Sequence, residues 1–143
     1  RHGCWRVINY NRQDFVAKVK EFTKGKGVPV VYDSVGKTTF AKSLDCLTPL
    51  GLMVLFGQSA GPVDPFNIAT LGAKGSLYLT RPGLATYTSN REELDATARD
   101  LFRAVHSGAV KIKVDQTYPL KDAARAHRAL ESRRTTGSTV LIP

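Results

Sequence analysis

An α/β fold built on a doubly wound parallel sheet is what this sequence predicts, and three observations predict it. Apolar runs of strand length alternate with stretches of helical spacing. The runs Val28 to Tyr32 and Leu52 to Phe56 are near-continuous rather than alternating, as strands covered on both faces require. Three of the runs stop at small polar residues and glycines, where ligands sit in open α/β sheets.

Taken in order, the chain opens with a turn at His2-Gly3 and an apolar strand, Trp5 to Tyr10, whose core is Val7-Ile8-Asn9-Tyr10. Arg1 stands where an initiator Met is absent, and the opening is expected to be a truncated start. Phe15, Val16, Val19 and Phe22 follow at helical spacing, with Gly25 in the position of a C′ glycine. The strand Val28 to Tyr32 stops at Asp33-Ser34-Val35-Gly36. A second helix carries Phe40, Leu44 and Leu47 on one face and ends before Pro49. The strand Leu52 to Phe56 stops at Gly57-Gln58-Ser59-Ala60-Gly61-Pro62, and a short apolar turn lies at Ile68 to Leu71. Ser76 to Leu79 is the next strand, stopped by Thr80-Arg81-Pro82-Gly83.

Beyond Gly83 the pattern changes. Ser89 and Asn90 offer N-caps with Glu92 and Glu93 three residues on, and Leu94, Ala98, Leu101, Phe102 and Val105 line one helical face until Gly108. Val110 to Val114 reads as a strand, Lys121 to Ser132 as a helix after Tyr118-Pro119-Leu120, and Ser138 to Ile142 as a closing strand.

Composition narrows the function. With 42% hydrophobic and 23% charged residues in 143, the chain sits among globular domains. No segment approaches a membrane span or a signal peptide. Cys4 and Cys46 make neither a disulfide framework nor a zinc cluster, which points to a reducing, cytoplasmic setting. The formal charge of +9 allows an anionic ligand or nucleic acid, but the basic residues are scattered and no strand pairs them with stacking aromatics. A basic RNA-binding module therefore stands as the rival from another class, to be recognised by steeply salt-dependent binding. No Gly-x-Gly-x-x-Gly, phosphate-loop lysine, His-Glu-x-x-His or Gly-x-Ser-x-Gly occurs, so catalysis by a nucleophile or bound metal has no support.

The strand ends carry a specific resemblance. Val7-Ile8-Asn9-Tyr10, Val30 to Gly36, Leu44-Asp45-Cys46-Leu47, Gly51 to Val54, Phe56-Gly57-x-Ser59, Lys74 to Tyr78, Thr80-Arg81-Pro82, Tyr118 to His127 and Leu130 to Arg133 resemble, in order and spacing, the zinc-free quinone oxidoreductases of the medium-chain dehydrogenase/reductase superfamily. The resemblance implies an incomplete Rossmann-type sheet, with 1–110 as the C-terminal part of the NADPH-binding domain and 111–143 as the returning segment of the catalytic domain. It implies an NADPH-dependent, zinc-independent quinone reductase whose isolated fragment is inactive, with an enone or enoyl reductase of the same superfamily as the alternative. It also implies a homodimer formed through the edge strand 76–79.

Carried over by residue, the resemblance puts Tyr10 by the adenosine ribose and 2′-phosphate, where a strand-ending tyrosine in water is the plain alternative. Ser34 would bond the cofactor or merely its own turn. Phe56, Gly57, Gln58 and Ser59 match the loop near the pyrophosphate and nicotinamide ribose, Gly57 allowing close backbone approach. Leu79, Thr80 and Arg81 match the stretch facing the nicotinamide, although Arg81 could be a solvated surface residue. Arg133 matches an arginine that reaches the phosphates, although beside Arg134 it also reads as a basic turn. No residue is assigned a catalytic role. His127 reads as a boundary histidine, Cys46 as a small core residue, and Asp33 as a cap of the following helix.

Overall fold

The computed structural model describes residues 3–143, so His2 of the expected His2-Gly3 turn lies outside the described residues. These residues form two units, the first running to Thr86 and the second Tyr87–Pro143.

In the first unit, α1 (Phe15–Phe22) leads to β1 (Val28–Asp33), α2 (Phe40–Asp45), β2 (Leu47–Leu55), α3 (Ala69–Ala73) and β3 (Tyr78–Thr80). The three strands lie in the order β1-β2-β3 and both pairings are parallel, as the alternating pattern predicts. Asp33 pairs with Leu55, and Val54 with Thr80, so the three carboxyl ends finish nearly level. The core gathers Phe40, Leu44, Leu47, Met53, Leu55 and Leu77, with Met53 fully buried.

α1 is started by Asp14, whose carboxylate accepts from the N–H groups of Val16 and Ala17. At its other end the expected C′ glycine is one place late. Lys24 takes the left-handed C′ position at φ 53°, its N–H reaching the Glu21 carbonyl, while the Gly25 N–H bonds the Lys20 carbonyl. That is a Schellman motif with glycine at C″.

Several expectations are corrected. Trp5 to Tyr10 forms no strand; among the described residues no strand runs beside it, and extended backbone without a ladder partner is not a strand. β1 is not buried on both faces: it is an outer strand, with Val30 37% and Tyr32 72% exposed. Leu47 belongs to β2 rather than α2, yet joins the same core cluster. β2 also takes in Pro49, at an irregular stretch of the β1–β2 ladder between the pairs Val28–Leu47 and Val30–Leu52, where a missing N–H is tolerated. The apolar turn at Ile68 to Leu71 is mostly helix α3, and the edge strand begins at Tyr78 instead of Ser76.

A short helix, α4 (Leu84–Tyr87), spans the boundary, and the second unit holds α5 (Arg91–His106), β4 (Val114–Pro119), a 3₁₀ turn (Leu120–Asp122), α6 (Ala123–Glu131) and β5 (Ser138–Ile142), with β4 and β5 parallel. The strand expected at Val110 to Val114 starts only at Val114, because its partner starts at Ser138, opposite Val114. Asn90 is the N-cap of α5, its side-chain oxygen accepting from Glu93 N–H at 2.9 Å, while Ser89 Oγ donates to Glu93 Oε2 at 3.2 Å. Asn90→Ala is expected to lower the stability of this unit by about 1 kcal/mol in a urea titration, and an unchanged midpoint would show the cap idle.

Candidate functional site

The level ends of three parallel strands set the site. At the tip of β1, Asp33 is buried at 5% exposure. Its Oδ1 accepts from the N–H groups of Val35 (2.7 Å) and Gly36 (3.0 Å), and its Oδ2 from the hydroxyls of Thr39 (2.7 Å) and Ser43 (2.8 Å). Burial alone would push this carboxyl up; the hydrogen bonds outweigh it and hold Asp33 below its ordinary value. Asp33 is thus not the helix cap expected of it. Thr39 occupies the N-cap position of α2 without a side-chain cap bond, and Asp33 instead shapes the Ser34–Gly36 turn and ties it to buried hydroxyls of Thr39 and Ser43.

The loop after β2 lies along that turn. Phe56 N–H donates to the Asp33 carbonyl (3.0 Å), Ser59 N–H to the Ser34 carbonyl (3.0 Å) and Ala60 N–H to the Val35 carbonyl (2.9 Å). From the turn side, Lys37 N–H donates to the Gly61 carbonyl (3.2 Å), and Lys37 Nζ pairs with Asp64 Oδ1 at 3.2 Å. Two glycines make this seam possible. A Cβ at Gly57 would stand 2.7 Å from Ser34 O and 2.9 Å from Ser34 Cα; one at Gly36, already at φ +82°, would stand 2.9 Å from Gly61 O. The space beside Gly57 is therefore filled by the neighbouring turn, and the glycine's closeness is closeness of loop to loop.

The seam brings Ser34 together with Phe56, Gly57, Gln58 and Ser59, of which Ser34, Phe56, Gln58 and Ser59 are exposed. Tyr32 stands edge-on to Phe56, ring centroids 6.4 Å apart. Leu79 and Thr80, half-buried, end β3 beside Met53 and Val54. Arg81 is exposed, yet its Nη1 donates to the Leu55 carbonyl at 3.0 Å, which fastens the third tip to the second. Tyr10, 51% exposed, meets Ser34 across a cavity of about 260 Å³ whose wall includes Ile8, Phe15, Val31 and Asp33. Phe56 to Ser59 do not line that cavity. Arg133 belongs to the second unit, where it follows the Ser132 C-cap of α6 in left-handed conformation, φ 56°.

Sequence reasoning missed Thr39, Ser43 and the Lys37–Asp64 pair. A usable signal existed: hydroxyls six and ten residues after Asp33 fall on one face of the following helix.

The arrangement fits a phosphate-bearing dinucleotide: exposed hydroxyl and amide groups on Ser34, Gln58 and Ser59, aromatic faces on Tyr32 and Phe56, and cationic Lys37 and Arg81 share one sheet edge. Among the described residues no three His, Cys, Asp or Glu side chains are placed to hold a metal ion. The Cys46 thiol is pushed up to about 11, chiefly by burial, the opposite of a ligating thiolate.

Comparison with known proteins gives a consistent picture. The model of the family described as zinc-binding dehydrogenase matches residues 2–141. Quinone oxidoreductase 1 of Escherichia coli is 54% identical over 143 residues, covering 99% of this chain and 44% of that protein. The 2-haloacrylate reductase of a Burkholderia species is 49% identical over 142 residues, covering 99% and 43%. The crystal structure of Escherichia coli quinone oxidoreductase complexed with NADPH superimposes with a TM-score of 0.94 at 55% identity, over 99% of this chain and 44% of that one. The chain spans less than half the length of each of these proteins.

Proposed function

The chain belongs to the zinc-binding dehydrogenase family, and from that membership we propose that the protein reduces quinones with NADPH, held over the tips of β1, β2 and β3. One observation carries the reading: three parallel strands end level, the end loops of β1 and β2 are bonded into one seam, and Arg81 ties the tip of β3 to that of β2. Support comes also from a quinone oxidoreductase complexed with NADPH whose structure matches this chain at a TM-score of 0.94.

When bound, NADPH would supply the hydride. The chain's own part is to bind and orient. Ser34 and Ser59 offer hydroxyls, Gln58 an amide, and Phe56 an apolar face, while Gly57 keeps the two loops in register. Leu79, Thr80 and Arg81 extend the groove across β3, and Tyr10 borders it beyond Ser34; Arg133, in the second unit, carries a guanidinium of the kind suited to phosphate. None of these groups is asked to act as nucleophile or base. The family's description names zinc, for which the described residues offer no ligand cluster; zinc-independence is part of the proposal.

The same proposal assigns 1–110 to the nucleotide-binding domain and 111–143 to a returning segment of a catalytic domain. β3 is an outer strand of its sheet, with Tyr78 61% exposed, and pairing of this edge across a two-fold axis would give a homodimer. No helix among the described residues is long and apolar enough to cross a membrane, and the setting proposed is the cytoplasm.

A second reading has one observation in its favour, the 49% identity to a 2-haloacrylate reductase. Reduction of an activated alkene would use the same cofactor groove. The experiment is to follow NADPH oxidation by the intact full-length protein with 1,4-benzoquinone and, separately, with 2-chloroacrylate. Turnover with the quinone at least about tenfold more efficient, a difference of about 1.4 kcal/mol in transition-state binding, is the expected result. The reverse order moves the assignment to the alkene reductases, and failure to bind NADPH removes both.

A further inference from the structure

Asp33 is buried, and its carboxylate accepts four hydrogen bonds. Its position is pivotal. Two of its bonds fix the Ser34–Gly36 turn, and that turn in turn receives the Phe56–Gly61 loop: Ser34 O and Val35 O accept from Ser59 and Ala60, and Ser34 backbone fills the space against Gly57. The other two anchor the carboxylate to Thr39 and Ser43, both buried, so the turn is held against a helix that is itself part of the core. A carboxylate is suited to this place because both oxygens accept, each from two donors at once. A hydroxyl or a lone amide oxygen could not serve all four donors.

We propose that Asp33 is a positioning residue for cofactor binding: by locking the Ser34–Gly36 turn to α2 it sets where the Phe56–Gly61 loop stands, and hence the shape of the NADPH groove. The inference rests on the function proposed above. It differs from a purely structural role in what it predicts. A structural carboxylate, when lost, lowers melting temperature and the yield of active protein, and leaves the KM of the surviving molecules alone. A positioning carboxylate raises the KM for NADPH while kcat at saturating cofactor holds.

The test uses Asp33→Ala, Asp33→Asn and Thr39→Val made in the intact full-length protein, with NADPH binding followed by fluorescence titration, quinone reduction by steady-state kinetics, and folding by circular dichroism. Asp33→Ala is expected to raise Kd and KM for NADPH about tenfold, with kcat within about twofold. Asp33→Asn keeps an oxygen for the Val35 and Gly36 amides and an NH₂ that can donate to the two hydroxyls, so it should recover most of the affinity. Thr39→Val removes one anchor and leaves the turn bonds, and is expected to raise KM about threefold. Should Asp33→Ala fail to fold, Thr39→Val carries the decision. Folded variants whose KM for NADPH equals that of the wild type would overturn the inference and leave the proposed function standing. A wild-type protein that does not bind NADPH would remove both.

Discussion

Gly57→Ala is expected to weaken NADPH binding by about tenfold or more, a loss of about 1.4 kcal/mol, and to destabilise the first unit by about 1–3 kcal/mol. The reason is steric and local. An added Cβ would meet Ser34 O at 2.7 Å and Ser34 Cα at 2.9 Å, and both are backbone atoms of a turn that Asp33 already fixes. No side chain is there to swing aside, so the loop must move away from the turn, breaking the Ser59–Ser34 and Ala60–Val35 bonds and spreading the groove. Gly72→Ala is the matched control. An added Cβ there meets nothing within 4 Å and sits in α3, so stability should hold or rise by about 0.5–1 kcal/mol with NADPH affinity unchanged. Isothermal titration with NADPH and urea unfolding of both variants decide the matter. Equal affinity in Gly57→Ala and wild type would mean that the seam does not shape the cofactor site.

Loss of the Asp33 carboxylate should give the larger stability effect. Asp33→Ala strips partners from two backbone N–H groups and two hydroxyls at a site only 5% exposed, which is expected to cost about 2–4 kcal/mol. The effect depends on pH in a definite direction. The folded protein holds this carboxyl below its ordinary value of 3.8, so the unfolded chain binds the proton more readily. Its contribution is therefore complete above the unfolded pKa and is lost as pH falls through the lower, folded one. Urea midpoints between pH 6 and pH 2 should fall more steeply in wild type than in Asp33→Asn, which has no proton to gain. The slope will not vanish, because Asp115, hydrogen-bonded by Lys113 and Thr136, is also held low and acts in the same sense. Parallel slopes for the two proteins would contradict this account of Asp33.

Much of the fold was legible because it depends on short-range pattern. Val28 to Tyr32 and Leu52 to Phe56 announce strands by β-branched and apolar runs, and the helices between them dictate parallel pairing. Asn90 and Gly108 mark the ends of α5 by the chemistry of its orphan amides and carbonyls. What failed was whatever depends on a distant neighbour. Val7 to Tyr10 has the composition of a strand, but a strand exists only beside another. β4 starts where Ser138 allows it, not where the alternation beginning at Val110 suggests. Pro49 is expected to end α2, yet the helix already stops at Asp45, and β2, starting at Leu47, absorbs the proline at a break in its ladder.

The site divides in the same way. The glycines and hydroxyls of the strand ends could be picked from the sequence, since turns after buried strands leave few other residue types. That Gly57 makes room for Ser34, and that Asp33 reaches ten residues ahead to Ser43, are facts of packing between loops. By sequence Arg81 fits either a cofactor contact or a solvated residue; its bond to the Leu55 carbonyl gives it a third task, bracing the tip of β2.

The most direct measurement is amide hydrogen exchange of the protein with and without saturating NADPH. Slowing concentrated in residues 33–37, 56–61 and 79–81 is the predicted result, since those segments form the seam at the strand tips. Slowing confined to α5, β4 and β5, or spread evenly along the chain, would place the cofactor elsewhere and contradict the assignment.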